Sequence, residues 1–375
     1  MAAANFVNYQ LATPADEADL RTLLLDNAMP GWVSIALTRE PNYFAGSRLF
    51  GTEQTIIARE QISRQPVGMC TYTRQPVHCN GQPAELGYLG GLRIAPAWRQ
   101  RLRIVRQGFA AVRDLCDQPP APLWYTAIAV DNHPARRLLE AHMPGLPRYT
   151  ALNDMVTMLL PATRGKRHGL WQAMHAHNTS DTNDRTSHTT LAALCNWYNA
   201  QACAYQFAPV LQAEWLHTWL QNSHATFYTV TQNGRLLACM ALWDQRACRQ
   251  ARALHYRWPL GLLRPAHNAW AHLTQRPALP RTGEALAHSF MAFLAYAPEM
   301  EDRLLALVED ALALAATPLV TLGLHAQHPQ LQQLQARFKP WCYRTRLYAV
   351  SDAASHADTP LPLDGRVAQP EVAIL

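Results

Sequence analysis

The sequence predicts an α/β fold in which a mixed sheet carries helices on both faces, and it predicts two tandem copies of this module. Three observations support the prediction. The chain has 375 residues, which is long for one compact core. Strand-like and helix-like patterns alternate along it. Two pairs of short motifs also recur in the same order in its two halves, as expected for an internal repeat.

The first half alternates between apolar runs, which predict strands, and amphipathic segments that open with acids or proline, which predict helices. The predicted strands are residues 6–12, 55–61, 66–77, 84–94, 123–130 and 148–160. The predicted helices are residues 14–27, 33–37, 99–115 and 132–141. This order of elements favours a mixed sheet covered on both faces.

The second half repeats the plan after a polar stretch. Its predicted helices are residues 191–203, 212–220, 299–316 and 328–338. Its predicted strands are residues 225–231, 235–243, 287–296, 319–324 and 344–350. An Asn233-Gly234 pair between the first two strands is a strong hairpin signal.

The repeat itself lies in two matched turns. A strand that ends in LRIAP at residues 92–96 matches one that ends in FLAYAP at residues 293–298, and a helix follows each. After the next strand, DNHPARRLLE at residues 131–140 matches AQHPQLQQLQ at residues 326–335. We therefore predict a first half at residues 1–160, a polar linker at 161–189, a degenerate second half at 190–351 and a disordered tail at 352–375.

Composition narrows the class of protein. The content of apolar residues is 49%, which is typical of a globular chain. The net charge of +6 comes almost entirely from arginine and suits an anionic ligand such as a nucleotide or CoA. The eight cysteines are scattered without a C-x-x-C pair, which indicates reduced thiols and no zinc site.

The expected location is the cytoplasm. The first residues lack the charged stretch followed by an apolar run that is typical of a signal peptide. No apolar run is long enough to span a bilayer. We therefore expect no membrane partner. The modest net charge also argues against a nucleic-acid partner. Four histidines in the linker lack carboxylates or cysteines at a fixed spacing, so no metal is expected. The sequence leaves the oligomeric state open.

The two turns of the first half resemble those of the GNAT acyltransferase superfamily. Ile94-Ala95-Pro96 followed by Arg99 is similar to its strand-ending turn and the Q/R-x-x-G-x-G/A motif at a helix start, and Asn132-His-Pro-Ala135 is similar to its second helix start. The resemblance implies an N-acyltransferase that moves an acyl group from acetyl-CoA or another acyl-CoA to a primary amine of a small molecule or peptide.

The resemblance also implies where the acyl-CoA binds. Exposed N–H groups at a helix N-terminus bind an anion, here a pyrophosphate, and the preceding strand pairs with the pantetheine arm. This chain departs from the motif because Leu102 and Ile104 stand where the family has glycines, while several arginines add phosphate-binding groups. The implied cofactor-binding residues are Leu92, Arg93, Ile94, Arg99, Gln100, Arg101, Leu102, Arg103, Ile104 and Asn132.

Amine acylation needs a base for the ammonium and an acid for the thiolate that leaves. Glu85 could act as base directly and Tyr88 through a water, since both lie on the strand beside the expected thioester. The family's usual acid position is Leu139 here, so Tyr125 and Tyr149 are substitute candidates.

Two other functions stay open. One is a non-catalytic acyl-CoA or ligand-binding protein, which the replacements at Leu102, Ile104 and Leu139 favour. The other is a Fem-type aminoacyl transferase, which is also a GNAT pair but uses charged tRNA. The modest charge and the lack of a coiled-coil insertion weigh against it.

Overall fold

The computed structural model describes residues 7–99, 101–174, 185–351 and 362–375, with side chains for all of these except residues 185–190. The first elements are β1 (Val7–Leu11), α1 (Glu17–Asp26), β2 (Val33–Thr38), β3 (Thr52–Glu60), β4 (Pro66–Cys79), β5 (Gln82–Ile94), α2 (Leu102–Leu115), β6 (Trp124–Ala129), α3 (His133–Glu140) and β7 (Arg148–Pro161). Short 3-10 helices at Pro14–Asp16, Pro96–Trp98 and Pro298–Arg303 precede three of the helices.

The remaining elements follow the same scheme. They are β8 (Gln172–Ala173), α4 (Arg185–Ala202), α5 (Ala213–Asn222), β9 (Ala225–Gln232), β10 (Arg235–Trp243), β11 (Gln250–Tyr256), α6 (Leu260–Leu273), β12 (His288–Tyr296), α7 (Leu304–Leu314), β13 (Leu319–His325), α8 (Leu331–Phe338) and β14 (Trp341–Ser351). No helix in the described ranges is both long enough and apolar enough to cross a membrane.

In the described residues, one sheet of 12 strands runs through both halves in the order β1-β3-β4-β5-β6-β14-β7-β13-β12-β10-β9-β8. The order is palindromic about its centre, where the last strand of each half lies next to the parallel strand pair of the other half. β14 pairs with β6, and β7 pairs with β13. The exchange ties the halves together through backbone hydrogen bonds. The predicted mixed sheet is confirmed, whereas the domain boundaries stay a prediction.

Helices cover both faces of the sheet and bury its apolar side chains. In the second half, α7 contributes Leu304, Leu307 and Val308 to the largest apolar cluster. In the first half, α2 buries Ala111 and Val112 against the sheet. Both helices thus pack their apolar residues against the sheet.

The prediction of a helix at residues 33–37 is wrong, because these residues form β2. Val33 and Ile35 are β-branched and favour extended backbone. β2 pairs antiparallel with β11 of the second half, from Val33 opposite Tyr256 to Thr38 opposite Gln250. The partner that makes this segment a strand lies more than two hundred residues away, and β11 itself was not predicted. Helix α6 was not predicted either.

The prediction of a disordered tail is wrong for residues 362–375, which pack against both halves. Ala368 and Ala373 are buried, and Asn153 of β7 exchanges two hydrogen bonds with the backbone of Ala368, each 2.9 Å long. Residues 352–361 lie outside the described residues. Part of the predicted linker also packs on the fold. Residues 162–174 lie on α7, where Asp310 accepts the N–H groups of His168 and Leu170. Residues 175–184 of the linker lie outside the described residues.

Candidate active site

Two parallel strands of the first half pair only briefly and then separate. β5 and β6 are in register only at Gly87 opposite Trp124 and at Tyr88 opposite Tyr125. A single side-chain hydrogen bond follows, 2.7 Å from Thr126 Oγ1 to the carbonyl of Leu89. Beyond it, residues 89–94 and 126–129 have no ladder between them in the described part of the chain. We call this gap the first opening.

The rim of the first opening has small side chains and solvent contact. Gly90 and Gly91 follow the last strand pair, and Gly91 has a φ of +58°, in the left-handed region where glycine costs least. This residue forms a bulge in the ladder with β4. Leu92 is 43% exposed, and Arg93 and Ile94 are partly buried. The edge of β5 therefore offers backbone groups to a ligand that enters between the strands.

Two helix N-termini flank the first opening, because α2 follows β5 and α3 follows β6. Carboxyl ends of neighbouring parallel strands are where α/β proteins bind ligands. Asn132 is the N-cap of α3 and accepts the N–H of Ala135 at 3.4 Å. Both macrodipoles thus present positive ends at the same edge of the sheet.

The turn before α2 carries the predicted arginines. Arg99 donates to the carbonyl of Ile94 at 3.2 Å and to Oδ1 of Asn27 at 2.9 Å. Arg101 stacks 4.1 Å from the ring centroid of Trp98. Arg101 and Arg103 are both exposed. Gln100 lies outside the described residues.

Leu102 and Ile104 stand where the GNAT motif has glycines, but they do not both face the turn. Ile104 is buried with Ala58 and Val67, and its N–H donates to Arg101 at 2.9 Å. Leu102 is partly buried. The side chain of Ile104 therefore packs toward the sheet and leaves the outer face of the turn to the arginines.

Tyr88 and Tyr125 form the floor of the first opening at its last strand pair. Their ring centroids are 5.2 Å apart, and Tyr125 stacks on Phe207 at 4.6 Å. Tyr125 donates its hydroxyl to Gln75, so this phenol already has a structural partner. Within the described residues the Tyr88 hydroxyl has no hydrogen-bond partner. Burial raises the pKa of Tyr88, which keeps the phenol neutral.

Glu85 lies away from this floor. It is exposed, it precedes Tyr88 by three residues, and it lies opposite Pro76 of β4. Three residues of strand span about 10 Å, and the opening continues in the other direction. The structure thus brings Tyr88 and Tyr125 together at the opening and leaves Glu85 outside it.

The sequence analysis missed a cluster of ion pairs near Tyr88, to which both halves contribute residues. Glu53 of β3 accepts two hydrogen bonds from Arg39, of which the Nη2–Oε2 bond is 2.8 Å long, and lies 3.6 Å from Nη2 of Arg249. Burial raises the pKa of Glu53, but the hydrogen bonds and charges of the two arginines outweigh it and hold the pKa below its usual range. Glu53 is therefore ionised, and the cluster carries one net positive charge.

Tyr343 of β14 was also missed. Its hydroxyl lies 3.7 Å from Sδ of Met29, in the turn between α1 and β2, and its phenol is an electrostatic neighbour of Arg93. Burial lowers the pKa of Arg93 and outweighs the phenols of Tyr343, Tyr43 and Tyr88, which raise it. No local pattern signals Tyr343 as a site residue, because a strand exchange between the halves brings it here.

The second half has the equivalent strand separation, in the second opening. β12 and β13 are in register from His288 opposite Leu319 to Phe290 opposite Thr321 and then separate. Phe293 has a φ of +54° at a bulge in the ladder with β10. Gly91 and Phe293 each stand five residues before the proline that ends the strand. The repeated geometry extends to this single backbone angle.

Residues 362–375 fill the second opening. Glu371 accepts the N–H of Phe293 at 2.7 Å, and Gln369 accepts the N–H of His325 at 2.9 Å. Val372 lies against Gly323, where an added Cβ would come within 2.3 Å of its Cγ1. The segment therefore bridges β12 and β13 where they diverge. Burial raises the pKa of Glu371 to about 7 and outweighs the N–H groups of Ala373 and Phe293, which lower it.

No cluster of three or more metal-binding side chains is present in the part of the chain that the structure describes. Of the linker histidines, His168 contacts Glu309, with 2.7 Å between Nε2 and Oε2. His175 and His177 lie outside the described residues, and the side chain of His188 is not described.

Comparisons with known proteins give a match in structure only. No family model matches the chain, and no curated protein matches it. A solved structure of Saccharomyces cerevisiae N-myristoyltransferase with bound myristoyl-CoA has a TM-score of 0.58 and 9% identity, covering 93% of this chain and 85% of that one. A second structure of that enzyme with myristoyl-CoA has a TM-score of 0.59 and 9% identity, covering 94% and 81%.

A GCN5-related N-acetyltransferase from Anabaena variabilis also matches, with a TM-score of 0.49 and 10% identity, covering 92% of this chain and 72% of that one. At 9% identity, the two N-myristoyltransferase structures show the fold of this chain and not its activity. The resemblance predicted from the two turns is confirmed at that level. This chain has the GNAT fold.

Proposed function

We propose that the chain is an N-acyltransferase with one active site, which lies in the first opening and transfers an acyl group from an acyl-CoA to a primary amine. The observation that supports this most is the separation of β5 and β6 after Tyr88 and Tyr125, with an exposed strand edge and two helix N-termini at its rim. A thioester arm and a pyrophosphate need these two features side by side.

In this proposal the acyl-CoA binds through its pantetheine arm, which pairs with backbone groups, and through its phosphates. The arm lies along residues 90–94 of β5, where Gly90 and Gly91 allow close approach. The pyrophosphate lies at the N-terminus of α2, where Arg99, Arg101 and Arg103 supply guanidinium groups. The N-myristoyltransferase neighbours contain myristoyl-CoA, which supports an acyl-CoA as the class of donor and leaves the acyl chain undefined.

The amine then attacks the thioester carbonyl carbon, a C–N bond forms, and the C–S bond breaks to release the thiolate. Tyr88 stands at the floor of the opening with a neutral hydroxyl that has no hydrogen-bond partner among the described residues. It therefore donates a hydrogen bond to charge that develops on the reacting group, and water takes the ammonium proton. Glu53 is ionised but held by Arg39 and Arg249, so it positions charge and does not act as the base. We assign no role to Glu85.

A titration calorimetry experiment tests binding, with acetyl-CoA and myristoyl-CoA added separately to the full chain. We expect one site per chain for at least one of them. Failure of both to bind would overturn the proposal. Binding without release of free CoA in the presence of a broad panel of amines would favour the non-catalytic alternative.

The variant Tyr88→Phe tests the chemistry. We expect unchanged acyl-CoA affinity and a fall of about tenfold in kcat, because a phenol donor is lost and water replaces it in part. Phe290 occupies the equivalent last-pair position in the second half, so a ring without a hydroxyl fits this backbone. An unchanged kcat would remove Tyr88 from the mechanism.

A further inference from the structure

Helix α6 carries an apolar stripe that faces solvent. Leu262, Ala266, Ala269 and Leu273 recur at helical spacing and are all exposed, Leu262 at 76% and Leu273 at 83%. A surface helix of a globular protein normally turns such a stripe toward the core. Exposed patches of this kind mark sites of interaction.

The stripe continues onto neighbouring tryptophans. Trp258 is 77% exposed, and Leu263 and Trp270 flank the stripe on α6. Trp32, in the turn before β2, is exposed as well, and its carbonyl accepts the N–H of Arg257 at 3.0 Å. We call the six side chains Trp32, Trp258, Leu262, Leu263, Trp270 and Leu273 the α6 face.

The α6 face belongs to a rigid part of the fold. Asn268 exchanges two hydrogen bonds with the backbone of Leu279, of 2.9 and 2.8 Å, and Tyr256 donates to the carbonyl of Pro280 at 2.6 Å. Leu279 is buried against Ala253 and Tyr256. The polar side of α6 is thus tied to the loop after it, which holds the apolar side outward.

The charges in the sequence on and beside α6 are positive. Residues 250–283 contain five arginines and no aspartate or glutamate. Arg276 stacks 4.8 Å from the ring centroid of Trp270, and Arg257 lies 5.8 Å from that of Trp32. A second copy of this chain would bring like charges together, whereas an anionic surface would neutralise them.

We propose that the α6 face binds the surface of an anionic phospholipid bilayer. Leucines on one side of the helix enter the boundary between headgroups and acyl chains, and tryptophans lie at the headgroup level, where their indoles are favoured. The arginines attract the anionic headgroups. The absence of a spanning segment led us to expect no membrane partner. Binding at the membrane surface, however, does not require a spanning segment.

Co-sedimentation of the full chain with vesicles tests this proposal without acyl-CoA, so its outcome is independent of the proposed transfer reaction. We expect binding to vesicles of equimolar phosphatidylcholine and phosphatidylglycerol, little binding to pure phosphatidylcholine, and loss of binding at high salt. The double variant L262S/L273S should weaken binding by about tenfold or more, since both apolar anchors leave the boundary region. Arg276→Gln should weaken it by about fivefold.

Matched controls are available far from the α6 face in sequence. Ile62→Ser removes an equally exposed residue, at 81%, from the turn between β3 and β4, and Arg148→Gln removes an exposed arginine from β7. Both should bind vesicles like the parent chain. Equal binding by the parent and L262S/L273S would overturn the proposal. So would a dimer without lipid, seen by sedimentation velocity, that L262S/L273S abolishes.

Discussion

The first and second openings share their backbone plan and differ in what occupies them. Both are formed by parallel strands that separate after two or three pairs, and both have a residue at positive φ five positions before a proline. The rim of the first is exposed at Leu92, while residues 369–372 fill the second. A duplicated fold can thus keep its geometry in both copies while, among the described residues, a segment of the chain fills only the second opening.

The turns beside the openings differ in the same direction. Arg99, Arg101 and Arg103 stand at the start of α2, whereas Glu299, Glu301 and Asp302 stand before α7. Glu299 is paired with Arg235 at 2.9 Å. Acids suit a bare helix N-terminus but repel a pyrophosphate. Packing and charge therefore both direct the anionic donor of the proposed reaction to the first opening.

The largest expected effect comes from reversing the charge of the first turn. The double variant R99E/R101E should weaken acyl-CoA binding by about a thousandfold, because two charge-assisted contacts become repulsive. Both side chains are exposed, so the fold should persist. Calorimetry measures the affinity, with Arg303→Glu in the second turn as the control. An equal loss in that control would show that the two turns do not differ in function.

The next effect concerns the segment that fills the second opening. The pKa of Glu371 is about 7 in the folded chain against an ordinary value of 4.5, so the folded state binds the proton more tightly. The free energy of unfolding should therefore fall as pH rises from about 4.5 to about 7 and then level off. We expect a fall of about 2 kcal/mol, less than the full pKa difference implies, because the side chain keeps some solvent contact.

Thermal unfolding across this pH range checks the prediction in parent and variant chains. Glu371→Gln cannot ionise and should lack this component of the pH dependence, although it loses one acceptor for the N–H groups of Phe293 and Ala373. Glu85→Gln, at an exposed position, should keep the parent slope. The same slope in Glu371→Gln and the parent would mean that this carboxyl does not titrate inside the second opening.

The smallest expected effect concerns Gly91. Gly91→Ala should lower the free energy of unfolding by about 1 kcal/mol, because an L-residue is disfavoured at positive φ. The added Cβ would also lie 3.1 Å from Thr71. Denaturant titration measures the change, with Gly108→Ala in α2 as a control that should be neutral or stabilising. No loss at Gly91 would show that the bulge of the first opening does not require glycine.

Much of the fold could be predicted because its signals are local. The strand at Arg235–Trp243 was predicted at its observed bounds from an apolar run after an Asn-Gly turn. The prediction at residues 33–37 failed because its hydrophobic pattern fits a short helix as well as a strand, and only pairing with β11 decides between them. The candidate site divides in the same way. Tyr88, Tyr125 and the arginines of the turn follow from local motifs, whereas Glu53, Arg249 and Tyr343 do not.

The sequence by itself determined the alternation of strands and helices, the repeat and the opposite charges of the two turns. These depend on residues within a few positions of one another. Only the tertiary structure decided that β14 and β7 exchange places and that residues 362–375 enter the second opening. Backbone hydrogen bonds at a strand edge accept any extended segment, so the partner is chosen by the packing of the whole chain. In the part of the chain that the structure describes, that choice leaves the first opening without such a segment.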